Sequence, residues 1–329
     1  MTSRPDRLIV DCLQYCNYSE AVFRQLHAGG VAAIHVTIAY HEDFRETIAN
    51  VVRWNGWFER FGDLIFPGRQ AEDVRRAHAE GRTAVFFGLQ NCFPIEDDIG
   101  LVEICHTLGV RFMQLSYNNQ SLLATGCYEA NDAGITRMGR EVIREMNRLG
   151  MVIDMSHSGD RSTLDAIEMS ARPIAITHAN PRSWHPVVRN KPEEVLRSLA
   201  ASGGMLGFSL YPLHLRGSSA CSLEDFCAMV ARTADLIGVA ALGLGTDLCQ
   251  NQPDAVVQWM RRGSWTRGAP DPSVVFPAQP TWFRSNLDFG NIATGLSAVG
   301  FSEAEVDAIV GLNWLRFLTT SFGPPVLHP

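Results

Sequence analysis

Three side chains able to bind a metal or move a proton stand at the ends of short apolar runs. They are His157, in Ser156-His157-Ser158; His178, in His178-Ala179-Asn180; and Asp247. Neutral imidazole and carboxylate are ligands for zinc and related metals, and the same groups serve as acids and bases near neutral pH. Gln90 follows a fourth apolar run and Tyr117 a fifth. The eight cysteines carry less information. None forms a CxxC pair, and Cys12 and Cys16, four apart, have no second pair at matching spacing. They read as reduced, mostly buried thiols, with Cys12 and Cys92 the two nearest the other candidates.

For these groups to meet, the runs before them must be parallel strands that end at one mouth. Strands are expected at 8–10, 32–38, 83–88, 112–116, 152–155, 174–177, 205–209 and 242–246, where apolar and β-branched residues cluster. Between most of them lie stretches with helical periodicity, at 19–28, 42–58, 71–79, 99–108, 138–149, 161–169, 192–201 and 222–237. Eight strands interleaved with helices predict an α/β fold, a (β/α)₈ barrel, with chemistry where the strands end. A doubly wound open sheet is the alternative, weakened by the lack of a GxGxxG turn after the first strand. The chain reads as a single barrel domain over 1–329 with a C-terminal helix at about 302–318. One segment departs from the rhythm. Residues 251–289 carry Pro253, Pro270, Pro272, Pro277 and Pro280, with Trp259, Trp265, Trp282 and four arginines. Placed after the last strand, this excursion is expected at the active face as a lid, a dimer contact or an ordered surface loop.

Composition narrows the partners. With 46% hydrophobic and 19% charged residues in 329, the chain can bury a large core. A net charge of −7 with no run of Lys or Arg argues against nucleic acid and against an anionic membrane surface. No apolar stretch reaches the ~18 residues of a membrane span, and no leader pattern is seen, so the expectation is a soluble, cytoplasmic protein acting on a small molecule.

Five stretches, in order, resemble the membrane (renal) dipeptidase family. EMNRLGMVIDMSH at 145–157 is similar to its ELNRLGxxIDLSH, PIAITHAN at 173–180 to PVIxSHS, and VRNKPEEVL at 188–196 to RNxxDDxL. LGLGTDL at 242–248 is similar to IGIGSDFDG, and GLNWLRFL at 311–318 to GxNxLRVL. The resemblance implies a (β/α)₈ barrel of the amidohydrolase type, a homodimer, and a dizinc site that cleaves dipeptides. It implies that His157 and His178 hold one zinc, that Arg189 binds the substrate carboxylate, and that Asp247 ligates a metal and handles a proton.

Elsewhere the sequence departs from the family. Its first strand ends in Asp-Gly-His-Asn-Asp, whose His and last Asp hold the other zinc; here Asp11-Cys12-Leu13-Gln14-Tyr15 stands in that place. Leu13 has no donor atom, and Tyr15 could ligate only as a phenolate. The bridging Glu becomes Gln90 and a substrate-side His becomes Tyr117, so both read here as substrate-binding groups. With one family carboxylate left, two divalent ions would be poorly neutralised in a pocket of low dielectric. The reading is a dipeptidase-like hydrolase for small carboxylate-bearing amides or dipeptides, with one zinc or none. A metal-free lyase or isomerase on a similar substrate, and an inactive binding homologue, are the alternatives.

Overall fold

The structure, a computed structural model, describes residues 6–263, 266–269 and 271–323. Trp265 and Pro270 of the excursion lie outside the described residues. Nine strands are found among them: β1 (Ile9–Gln14), β2 (Val31–Ala39), β3 (Ile65–Pro67), β4 (Thr83–Leu89), β5 (Val110–Gln114), β6 (Val152–Asp154), β7 (Ala175–Ile176), β8 (Met205–Phe208) and β9 (Leu242–Leu244). All the pairings are parallel. Because β1 pairs with both β2 and β9, and β2 with β4, eight strands close a (β/α)₈ barrel.

β3 is the unexpected ninth strand. It lies along the first half of β4, on the edge that β5 occupies further along, since Ala84 pairs with Phe66 while Leu89 pairs with Met113. Three residues ending in Pro67 show no alternation, and proline ends pairing, so no strand pattern is visible in the sequence. β1 runs to Gln14, four residues past the expected end, because its polar residues are satisfied inside the sheet. The Asp11 carboxylate accepts from Thr246 N (2.7 Å), Thr246 Oγ1 (2.5 Å) and Gln14 Nε2 (2.9 Å). β7 is only two residues long because Thr177 turns its backbone N–H and hydroxyl to Asp154.

Local signals bound two of the helical segments. Thr136 caps the helix Arg137–Leu149, accepting from Gly139 N, and Gly150 at φ 73° ends it, so that β6 starts two residues later. A capping box of Ser302 and Glu305 opens the C-terminal helical run. That run is broken by a π turn, Ala308–Leu312, where Gly311 passes so close to β1 that a Cβ would lie 2.0 Å from the Leu8 carbonyl oxygen. The following helix, Asn313–Ser321, brings Trp314 under the barrel, its indole N–H donating to Leu244 O (2.8 Å). Trp314 packs with Val10, Phe86, Phe112 and Val152 in a core separate from the larger one between strands and helices.

Glycine at 207 is a steric requirement of the site. A Cβ there would meet the Thr177 carbonyl oxygen at 1.9 Å, and that backbone carries His178. Gly207→Ala is therefore expected to destabilise by roughly 1–3 kcal/mol, as overpacking does where neighbours cannot retreat. Urea unfolding measures it, and a loss below about 0.5 kcal/mol would show that the β7 backbone yields.

Candidate active site

At the C-terminal ends of the strands lies a cavity of about 890 Å³. Gln90, Tyr117, His157, Arg189 and Asp247 line it, so five of the six candidates share one chamber. The sixth, His178, is fully buried behind His157, with its Nε2 2.9 Å from His157 Nε2. A groove of about 940 Å³ lies at the other end of the barrel, beside Leu8 and Ile9 at the start of β1, where barrel enzymes keep stability rather than chemistry.

The histidine pair is set by two carboxylate-organised turns. Asp154, at the end of β6, accepts from Ser156 N and Oγ and from Thr177 N and Oγ1, joining the turn that carries His157 to the one that carries His178. Thr177 gives its one hydroxyl proton to Asp154 at 2.6 Å, so toward His178 Nδ1, at 2.8 Å, it can only accept. His178 therefore carries its proton on Nδ1. His157 Nδ1 faces Asn118 Oδ1 at 2.7 Å, an oxygen that also accepts from the Cys127 thiol, so His157 carries its proton on Nδ1 as well. Both Nε2 atoms are left as bare lone pairs directed at each other. Burial, and then Arg189, hold both rings well below the ordinary histidine pKa, so a shared proton is disfavoured.

Two aligned lone pairs at 2.9 Å repel unless a Lewis acid joins them, and the donor set fits zinc on that account. Among the described residues no three His, Cys, Asp or Glu side chains group to hold a metal. Gln90 offers a neutral oxygen instead. Its Nε2 donates to Thr37 Oγ1 (2.7 Å) and Tyr40 OH (3.1 Å), leaving its carbonyl oxygen without a bonded partner among the described residues.

The other positions that the resemblance assigns to the metal site carry no charged ligand. Leu13 is fully buried. The Tyr15 ring packs edge-on to Tyr40 at 4.8 Å, and burial raises its pKa, so it stays a neutral phenol. Burial also raises the Cys12 thiol well above its usual value and the Cys92 thiol to about 11, so neither is a thiolate at neutral pH. All eight cysteines are free.

Arg189 is 3% exposed and pairs with no carboxylate among the described residues. It donates Nη1 to Ser156 O and Nη2 to His178 O (3.2 Å), bracing both histidine turns. A guanidinium has five N–H groups, so three remain. Asp247 sits in the left-handed region, at φ 55°, with its N–H given to Leu13 O. Strained backbone of this kind clusters at functional sites. Burial raises its carboxyl to about 7, against the pull of Arg189. Tyr117 stacks on His157 at 4.2 Å, and burial keeps its hydroxyl protonated.

Asn118 and Thr177, which set the imidazole tautomers, have no signature in the sequence. One is an ordinary polar residue 39 positions from its histidine, the other an ordinary strand residue. Tyr211, His214 and Arg261 also line the cavity and were not among the expected residues.

Comparison with known proteins follows from this geometry. The family described as membrane dipeptidase (peptidase family M19) matches residues 34–258. Dipeptidase tcpJ of Claviceps purpurea (strain 20.1) is 26% identical over 282 residues. That alignment takes in 85% of this chain but 60% of the relative, so the chain spans less than two thirds of that protein's length. The crystal structure of an amidohydrolase from Pseudomonas aeruginosa superposes with a TM-score of 0.91 at 31% identity, covering 96% of this chain and 97% of the other. A metallo peptidase from Rhodobacter sphaeroides, liganded with a phosphinate mimic of the dipeptide L-Ala-D-Ala, superposes with a TM-score of 0.79 at 17% identity, covering 95% and 99%, and shares the fold.

Proposed function

The chain belongs to the membrane dipeptidase family, peptidase family M19, and from that premise we propose that it hydrolyses the amide bond of small carboxylate-bearing substrates, dipeptides first among them, using one metal ion rather than two. The observation that carries this reading is the histidine pair. Two imidazoles locked as Nδ1–H tautomers direct bare nitrogens at each other, in a chamber that also holds a carboxylate and an arginine with no carboxylate partner among the described residues. His157 and His178 would hold the ion, with Gln90 as a neutral oxygen donor. Zinc bound there supplies Lewis acidity toward the scissile carbonyl.

The chain's own groups do the rest. Arg189 pairs with the substrate carboxylate through its uncommitted N–H groups and fixes the amide in the cavity. The Asp247 carboxylate takes a proton from the attacking water and delivers it to the leaving nitrogen. A pKa near 7 suits it to both transfers. Tyr117 covers one face of His157 and offers a neutral hydroxyl to the substrate. A homodimer and a cytoplasmic location belong to the same proposal.

The test is zinc per chain by elemental analysis on untagged protein, together with a dipeptide panel. About one zinc, with hydrolysis lost on chelation and regained with zinc, supports the reading. Since Asp247 must be ionised to act as base, kcat/KM should rise with pH through about 7, and Asp247→Asn should abolish that limb. Two zincs per chain overturn the single-ion reading. Turnover that survives chelation favours metal-free acid–base chemistry on Asp247 and Tyr117. Zinc bound without hydrolysis of any dipeptide overturns the activity.

A further inference from the structure

Arg189 is one of two arginines that open into the cavity; the other is Arg261. Arg261 lies in the last turn of the helix Asp254–Arg262, within the Pro- and Trp-rich excursion. Its neighbour Arg262 donates to Gly268 O, inside the excursion itself. Arg261 reaches instead to the end of β8, where its Nη2 donates to Tyr211 OH at 2.9 Å. Carbonyl ends of a helix favour cations, which accounts for arginine at both positions but not for the direction of Arg261. A phenol oxygen that accepts from a guanidinium still has its own proton to give, and the Tyr211 hydroxyl has no acceptor among the described residues. The pair thus presents several uncommitted donors at the mouth.

The charges of the chamber point the same way. Asp247 is the single carboxylate among its described lining residues, set against Arg189 and Arg261, and neither arginine has an ion-pair partner among the described residues. His214 is held neutral by burial. The two guanidiniums share this chamber with His214 and Tyr128. A protein of net charge −7 therefore keeps a cationic chamber, which concentrates anions against its overall field.

We propose that Arg261 and Tyr211 form a second anion subsite, and that the natural substrate carries a second carboxylate, as an acidic dipeptide does, besides the one anchored by Arg189. The inference rests on the anchor role of Arg189 proposed above. Arg261 is exposed at the rim, so solvent screening limits its effect to about tenfold at low salt, less as salt is added.

Calorimetric titration with α,ω-dicarboxylates from malonate to adipate, each against the monocarboxylate of matched length, tests this on the whole zinc-loaded protein. The expected result is one diacid bound about tenfold tighter than its monoacid, with R261Q bringing that ratio below about twofold and Y211F lowering it in part. R261Q replaces an exposed side chain, and its melting temperature checks the fold. A wild-type protein that binds no diacid better than its monoacid, or a preference that survives R261Q, overturns the inference alone, provided monoacid binding is lost in R189Q. Monoacid binding untouched by R189Q, or no binding of any acid, overturns the Arg189 anchor and this inference with it.

Discussion

His178→Ala is expected to take bound zinc from about one ion per chain to below about a tenth, and to lower kcat/KM at least a hundredfold. The size follows from the ligand count. With two histidine nitrogens and a neutral oxygen, loss of one nitrogen leaves nothing that competes with water for the ion. The Lewis acidity lost is worth several kcal/mol, and each ~1.4 kcal/mol is a factor of ten. His178 is fully buried, so a melting curve must accompany the variant. Thr177→Val is the gentler comparison, because it keeps the shape and removes only the hydroxyl, which is the acceptor that fixes the tautomer and one of the four donors to Asp154. An outer partner of this kind is worth roughly 10–100-fold in metal affinity. If T177V bound zinc as tightly as wild type, the tautomer argument would fail even with His178 as a ligand. If H178A kept its zinc, the ion would lie elsewhere.

The parts of this site that could be read in the sequence are those with a period or a position. The runs that become β4, β7 and β9 are apolar, and their ends placed Gln90, His178 and Asp247 near one mouth before any contact was known. What could not be read is satisfaction at a distance. Asp11 looked like the residue after a strand because a carboxylate seldom sits inside one; Thr246, 235 positions away, keeps it there. Asp154 lay inside an expected strand and was not among the candidates, yet its four bonds bring the two histidine turns together. Arg261 was one of four arginines in an aperiodic stretch, and no local pattern distinguishes the one that turns inward. Substitution at the altered metal positions was legible from the family resemblance together with the chemistry of the residues that stand there. The structure adds how the space is used, with Tyr15, Tyr40 and Tyr117 packed edge to face.

Arg189→Ala is expected to raise KM for carboxylated dipeptides roughly 30-fold to several-thousand-fold, with a smaller change in kcat. Removing one partner of a buried, hydrogen-bonded charge pair costs about 2–5 kcal/mol, and Arg189 is 97% buried by complement of its 3% exposure. The brace it gives to Ser156 O and His178 O complicates the variant, since a shifted histidine turn would also lower activity. Two readouts separate anchor from brace. Zinc content should stay near wild type if the histidine turns hold, because Asp154 and its four bonds remain. A dipeptide whose carboxylate is capped as an amide should be a poor substrate for wild type and should lose little more in R189A, because the interaction is already missing. Equal losses on the free and capped dipeptides would mean that Arg189 acts by bracing the turns. The pair of substrates then amounts to a double-mutant cycle in which the ligand supplies one of the two changes. The coupling it returns measures the carboxylate contact itself, free of whatever else the mutation disturbs.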